Sequence, residues 1–284
     1  VGLFCAQLSL GVANIWLKAP IPIQMAHLVL ADINWISLVI LSAYCFADGI
    51  EHVETRPAPE EAERSGPLKG KDLIKAYVAL TKPRVISLLL FTTLTAMIAA
   101  KGQWPGAILF FSVAIGGYMS AGAANAINMV IDRDIDLTMK RTSKRPTVTQ
   151  SIPSTHALAF AFTLAAGSFA ILTRVANLLS AVMAFSGLVF YVIVYTMLLK
   201  RRTWSNIVIG GAAGAVPVLV GWSAVTDHLA IAPFVMFAVI FLWTPPHFWA
   251  LAVRYKDGYA KASDPMLPAT TNLPALVRQS IGYT

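Results

Sequence analysis

The chain has 284 residues, 57% of them hydrophobic and only 13% charged, where a soluble domain is roughly one quarter charged. That balance excludes an ordinary water-soluble globule. The net charge of +8 then reads as basic ends on apolar helices rather than as a nucleic-acid surface.

A crossing of the hydrocarbon core takes roughly 20 apolar residues. Apolar segments fall at about 1–17, 23–47, 85–100, 105–127, 155–173, 176–199, 205–225 and 231–252, with another beginning near 273. The first is short and the chain opens inside it without Met, which reads as a fragment. The opening residues have neither the basic region nor the cleavage site of a signal peptide. Cys5 and Cys45 lie in apolar runs, with no Cys-x-x-Cys, and read as packing residues. Residues 48–72 carry Asp48, Glu51, Glu54, Glu60, Glu61 and Glu63 among Pro57, Pro59, Gly66 and Pro67 and read as a hydrated linker. The expected organisation is a two-helix piece over 1–47, a linker over 48–72, and a larger helical domain over 73–284. The fold class is all-α, a polytopic membrane helical bundle.

Orientation follows from charge. With the connection after the second segment on the cytoplasmic side, all but Lys18, Lys101 and Arg174 of the 22 basic residues fall on that side. One missed helix would scramble that alternation.

The fourth segment ends in AANAINMVIDRDIDLTMKRTSKRP. Residues four apart on a helix lie nearly above one another, so Asn128, Asp132 and Asp136 form one row, drifting about 80° and rising about 12 Å. Asp134 points elsewhere unless the helix has already ended. Such a row suits Mg²⁺, a hard cation that keeps some waters and shares substrate phosphate. Lys140, Arg141, Lys144 and Arg145 follow at once, cations able to neutralise a diphosphate. The bland alternative is a solvated loop of mixed charge, but carboxylates at a membrane helix end are costly unless used. Two further connections on the same side carry charge. YTMLLKRRTWSN offers Tyr195, Lys200, Arg201 and Arg202, and the end of WTPPHFWALAVRYKDGYAKASDPMLP offers Asp257 beside Arg254 and Lys256. Ordinary interfacial anchoring explains several of these cations equally well. Together the clusters point to a lipid-like diphosphate with its tail in the apolar interior, ionising to an allylic cation.

These strings, with Lys82-Pro83-Arg84, resemble the UbiA-type intramembrane prenyltransferase superfamily over about residues 72–284. MKRT…RP, Thr-Pro-Pro-His-Phe-Trp and Pro-Met-Leu-Pro narrow the resemblance to its protoheme IX farnesyltransferase (heme O synthase) branch. The resemblance implies about nine spans and Mg²⁺-dependent farnesyl transfer from farnesyl diphosphate to a heme B vinyl group. It implies Asn128, Asp132, Asp136 and Asp257 as metal ligands, with Asp132, Asp136 and Asp257 catalytic. It implies Arg84, Lys140, Arg141, Arg145, Tyr195, Lys200 and Arg201 at the diphosphate. Lys261 stands where many relatives have a second acid four residues after Asp257, and Gly258 follows Asp257 where heme-branch members often carry another acid. His247 is an intramembrane ionisable residue and a candidate heme contact; capping a Pro-distorted helix is the alternative.

Residues 10–43, LGVANIWLKAPIPIQMAHLVLADINWISLVILSA, resemble the end of heme A synthase, which implies a fusion of consecutive enzymes with His27 as an axial ligand to a heme b. Alone, one His defines no heme site. The rival functions are prenylation of another ring, such as a quinone precursor, and a non-enzymatic heme carrier or transporter. A transporter would place its charges nearer the bilayer midplane.

Overall fold

The computed structural model describes residues 2–17, 21–47, 68–139, 142–253, 259, 265–271 and 273–283. Among the described residues every regular element is a helix, and the chain divides into two compact units, Val1–Arg56 and Pro57–Thr284.

The first unit is a helical hairpin of α1 (Gly2–Trp16) and α2 (Ile21–Ala47). Gly11 lets the helices approach, because a Cβ there would press within 3.1 Å of the His27 ring. Gln7 Nε2 donates to the carbonyl of His27 at 3.3 Å. Cys5 is a free and exposed thiol rather than a packing residue.

The second unit opens with α3 (Gly70–Thr81), amphipathic and not marked by any long apolar run. Of the expected linker, residues 48–67 lie outside the described residues, and Gly70–Asp72 already belong to this helix. Then come α4 (Pro83–Lys101), α5 (Ala107–Ile131), the short α6 (Arg133–Thr138), α7 (Ser154–Ile171) and α8 (Leu178–Val189). The chain continues through α9 (Asn206–Thr226), α10 (Ile231–Val253), α11 (Leu267–Thr270) and α12 (Leu273–Tyr283). Two stretches wind as π-helix, Leu172–Ala176 after α7 and Phe190–Leu199 after α8. Among the described residues, six helices of this unit are long and apolar enough to cross a membrane: α4, α5, α7 and α8 each with its π-helical extension, α9 and α10. The chain is a multi-pass membrane protein. Its spans match the apolar segments because burial in lipid demands unbroken apolar length with every backbone group bonded internally.

Small residues bring the helices together. A Cβ on Gly221 of α9 would fall on the Thr93 carbonyl oxygen of α4. Gly221→Ala is therefore expected to lower stability by about 1–3 kcal/mol, the usual cost of overpacking. Gly214→Ala, whose Cβ would meet no atom within 4 Å, should leave stability at or somewhat above that of the wild type. Thermal-unfolding midpoints of the two variants in one detergent check this, and equal midpoints would refute it.

Alternation of the spans sends the start of α4, the end of α5, the end of the π-helical Phe190–Leu199 and the start of α9 to one end of the bundle. Lys101 and Arg174 go to the other end.

Candidate active site

The α3–α4 corner places the first cation. Lys82 has φ 57° and ψ 64°, a left-handed conformation, and Pro83 follows at the first position of α4. Proline disfavours the α region for the residue before it, and a non-glycine residue with positive φ carries strain of about 1–3 kcal/mol. The corner is held from α5. Asn125 Nδ2 donates to the Thr81 carbonyl at 2.9 Å, and the Thr81 and Tyr118 hydroxyls lie 2.8 Å apart. The Lys82 ammonium is thereby carried into the site, where its Nζ donates to Asn128 Oδ1 at 2.9 Å.

The acidic row survives a break in its helix. The α5 helix ends at Ile131, Asp132 stands at the junction, and α6 begins at Arg133. The expected single helix is thus two. Asp132 N still donates to the Asn128 carbonyl and Asp136 N to the Asp132 carbonyl, so the spacing of four carries through. Asn128, Asp132 and Asp136 are all buried, at 3%, 0% and 3% exposure, and all point inward. Asp134 is exposed and turned away from them, as the helical row implies.

Each carboxylate has a cation. Lys200 Nζ donates to Asp132 Oδ2, and Arg145 donates to Asp136 Oδ2, both at 2.5 Å. Asn128 Nδ2 donates to Asp132 Oδ2 at 2.7 Å and to Thr196 Oγ1 at 3.2 Å. Arg201 grips Asp134 with two bonds of 2.7 Å, donates to the Ile131 carbonyl, and reaches within 3.8 Å of Asp132 Oδ1. Arg201 therefore also satisfies the open carbonyl end of α5, a favourable place for a cation.

Electrostatics follow from these contacts. Burial of the Lys82 ammonium pushes its pKa down to about 7, helped by repulsion from Arg145 and Lys200. Burial also raises the Asp136 carboxyl above the usual carboxylate range, against the pull of Arg145. The hydrogen bonds from Arg201 hold Asp134 below that range. With Lys82 protonated, as it is below about pH 7, Lys82, Arg145, Lys200 and Arg201 against Asp132, Asp134 and Asp136 leave one surplus positive charge among the named groups. That is a site prepared for an anion.

The donor set also fits a hard cation. Asp132 Oδ1 is buried and makes no hydrogen bond, an unusual state for a carboxylate oxygen. No three His, Cys, Asp or Glu side chains converge as a closed metal cage among the described residues. One or two carboxylates completed by substrate phosphate is how Mg²⁺ is commonly held, and Asn128, Asp132 and Asp136 offer that. Asp257, Lys140 and Arg141, the other expected ligands, lie outside the described residues.

Below the charged cluster lies an apolar cavity of about 300 Å³. Its upper lining includes Asn125, Tyr191, Tyr195 and Ile207; its lower lining includes Thr93, Gly117, Pro217 and Val220. The π winding of Phe190–Leu199 shapes the mouth. Thr196 Oγ1 donates to the Tyr191 carbonyl and Lys200 N to the Tyr195 carbonyl, each five residues back. The rings of Tyr191 and Tyr195 stack at 5.3 Å on the cavity wall, while Lys200 reaches Asp132. Such wider turns recur at functional sites.

Three expected residues sit elsewhere. Arg84 is exposed on the first turn of α4, while Lys82, two positions earlier, enters the site. His247 is exposed and stacks on Trp243 at 5.7 Å, whereas its neighbours Thr244 and Phe248 line the cavity. His27 lies in the first unit, with Nδ1 buried and making no hydrogen bond. The sequence signal for Lys82 was present in Lys-Pro-Arg, where a cation precedes a helix-starting proline.

Comparisons with known proteins bear on the family and the fold. The family model described as UbiA prenyltransferase family matches residues 89–284. A protoheme IX farnesyltransferase of Thermus thermophilus is 55% identical over 282 residues, which is 99% of this chain and 46% of that protein. One from Clavibacter michiganensis subsp. michiganensis is 51% identical over 209 residues, 74% of this chain and 68% of its own length. The chain thus spans about half the length of the Thermus relative. Two solved structures share the fold, each covering 73% of both chains. A UbiA homolog from Archaeoglobus fulgidus bound to DMAPP and Mg²⁺ gives a TM-score of 0.61 at 19% identity, and one bound to GPP and Mg²⁺ gives 0.60 at 20%.

Proposed function

This chain belongs to the UbiA prenyltransferase family, and from that premise we propose that it transfers a farnesyl group from farnesyl diphosphate to the vinyl group of heme B, giving heme O and diphosphate. One observation carries the reading: four cations and three buried polar ligands meet at the mouth of an apolar cavity of about 300 Å³. A molecule with a diphosphate head and a long apolar tail matches both halves. The acceptor rests on relatives named protoheme IX farnesyltransferase.

Asn128, Asp132 and Asp136 would hold Mg²⁺, with Asp257 as a further ligand. Bound there, Mg²⁺ would screen the diphosphate oxygens and favour their departure. Lys82, Arg145, Lys200 and Arg201 bind the diphosphate, joined by Lys140 and Arg141. They leave their carboxylate and amide partners for phosphate oxygens, so the charge that develops on the leaving group is met by donors already in place. The C1–O bond breaks with its electron pair going to diphosphate. The dry cavity keeps water from the allylic cation, and the faces of Tyr191 and Tyr195 attract positive charge. The vinyl π electrons then form the new C–C bond, and the cation left on the other vinyl carbon is captured by a water molecule at the acceptor, which loses a proton and leaves a hydroxyl there.

The reading extends to the rest of the chain. Residues 1–47 are the closing helices of a heme A synthase-like domain, 48–72 a linker, and 73–284 the prenyltransferase domain. The Thermus relative matching 99% of the chain, against 74% for the Clavibacter relative, supports an added N-terminal piece. The unbonded Nδ1 of His27 supports a ligand role there. The protein lies in the cell membrane with its acidic motif on the cytoplasmic side. The basic residues at the motif's end of the bundle, against Lys101 and Arg174 at the other, support that orientation.

Incubation with farnesyl diphosphate, Mg²⁺ and either heme B or 4-hydroxybenzoate tests the reading by product mass. Farnesylated heme is expected, and lost on chelation of Mg²⁺. Prenylation of the benzoate alone would remove the heme assignment.

A further inference from the structure

Five glycines line the cavity: Gly117, Gly187, Gly210, Gly211 and Gly214. Four have a packing reason. A Cβ on Gly117 would come within 3.1 Å of Leu90, on Gly187 within 2.9 Å of Val216, and on Gly211 within 3.1 Å of Thr244. On Gly210 it would run into the Tyr195 ring. Their missing side chains let neighbouring groups sit close. Gly214 differs, since a Cβ there would meet no atom within 4 Å. A glycine inside a helix costs about 1 kcal/mol relative to alanine, and at Gly214 no neighbouring atom explains that cost. Because Gly214 is also part of the cavity wall, its side chain would enter the cavity.

Its depth can be measured along α9. Asn206, the first residue of α9, donates from Nδ2 to the Lys200 carbonyl at 3.0 Å, which ties the start of α9 to the charged cluster. At 1.5 Å per residue, Gly214 lies about 12 Å further into the bundle. The cavity continues past it to Pro217 and Val220 on α9 and to Thr93 on α4. On α5 the wall runs from Asn125 to Gly117, another drop of about 12 Å. A farnesyl chain extends roughly 14 Å, from carbon–carbon bonds of about 1.5 Å, and a geranyl chain about 5 Å less. The level of Gly214 is therefore where the third isoprene unit must pass and where a geranyl chain has already ended.

We propose that Gly214 sets the length of prenyl chain this cavity accepts: its absent side chain is the space through which the last isoprene unit of a C15 chain reaches the lower cavity. The proposal rests on the prenyl diphosphate reading of the site. It assigns to Gly214 a specificity role at the tail, with no part in binding the diphosphate or in the chemical step.

The test compares geranyl and farnesyl diphosphate as donors for the wild type, Gly214→Ala and Gly214→Leu, in proteoliposomes with heme B as acceptor. Gly214→Leu should shift the farnesyl-to-geranyl ratio of kcat/KM toward geranyl by about 30-fold, within the roughly 10–200-fold by which a hydrophobic pocket discriminates. Gly214→Ala should shift it the same way by about fourfold, the worth of one buried carbon. Binding of the unreactive thiolo analogues of both donors, followed by tryptophan fluorescence, should show the same shift without turnover. An unchanged ratio in Gly214→Leu, or in Gly214→Ala if the leucine variant does not fold, overturns the proposal. Wild-type protein that transfers neither prenyl group and binds neither analogue would instead overturn the reading on which it rests.

Discussion

Asp132→Ala is expected to lower kcat/KM for farnesyl diphosphate by about a thousandfold or more, the loss typical of removing a group aimed at transition-state charge. Asp132 is fully buried, and its Oδ1 makes no hydrogen bond. Lys200 and Asn128 converge on its other oxygen. Removal of the carboxylate takes away the free oxygen and also strands the Lys200 ammonium, whose side chain is only 14% exposed. Breaking one half of a buried pair costs about 3–5 kcal/mol, so the variant should also unfold at lower temperature. The two effects separate in Asp132→Ala with Lys200→Met, where the stranded charge is gone. Stability should return and activity should not. Asp134→Ala is the contrast, because Asp134 is exposed and pairs with Arg201 at the rim; its loss should be far smaller. Product formation by mass and thermal midpoints measure all three, and an Asp132→Ala enzyme within tenfold of wild type would remove the motif from the mechanism.

Lys82→Met should reduce kcat/KM for farnesyl diphosphate by about 10²–10³-fold while leaving the fold intact, from loss of one preorganised donor to phosphate. Methionine keeps the apolar stem and removes a charge that burial already disfavours. A pH profile distinguishes this role from a structural one. With a pKa pushed down to about 7, Lys82 is charged below pH 7 and neutral above it in the free protein. The kcat/KM of the wild type should fall as pH rises through that value, since kcat/KM reports free-enzyme groups. Bound diphosphate favours the charged form, so binding above pH 7 takes up a proton. Calorimetry of inorganic diphosphate binding in two buffers of different ionisation enthalpy reads that uptake. Lys82→Met should lose both the alkaline fall and the proton uptake; a variant that keeps both would return Lys82 to interfacial anchoring.

Much of the site was legible along the chain because it is local. Asn128, Asp132 and Asp136 are spaced by the helical repeat, and their backbone bonds preserve that repeat across the break at Asp132. Arg145 lies only nine residues from its partner Asp136. Lys200 and Arg201 belong to a separate connection, which charge counting and the family resemblance bring to the same site. Lys82 and Arg84 looked alike as two cations flanking one proline. Only the left-handed corner at Lys82, held by Asn125 and Tyr118, decides which of them enters the site. His247 shows the same limit. Its place on a span was readable, but the rotation of α10 turns Thr244 and Phe248 to the cavity and leaves His247 stacked on Trp243.

The sequence by itself determined the spans, their alternation and the all-helical class. In lipid these depend only on apolar length and on backbone bonds within each segment. It also determined the acidic row, because a spacing of four matches the helical repeat, which backbone bonds carry across the break at Asp132. Tertiary structure alone decided the pairing of each carboxylate with a cation from 9 to 68 residues away. It also decided the left-handed turn that admits Lys82, and which of five cavity glycines opens into space. Those depend on how helices rotate and how closely they pack, and that is settled by atoms on neighbouring helices rather than by the order of residues along any one of them.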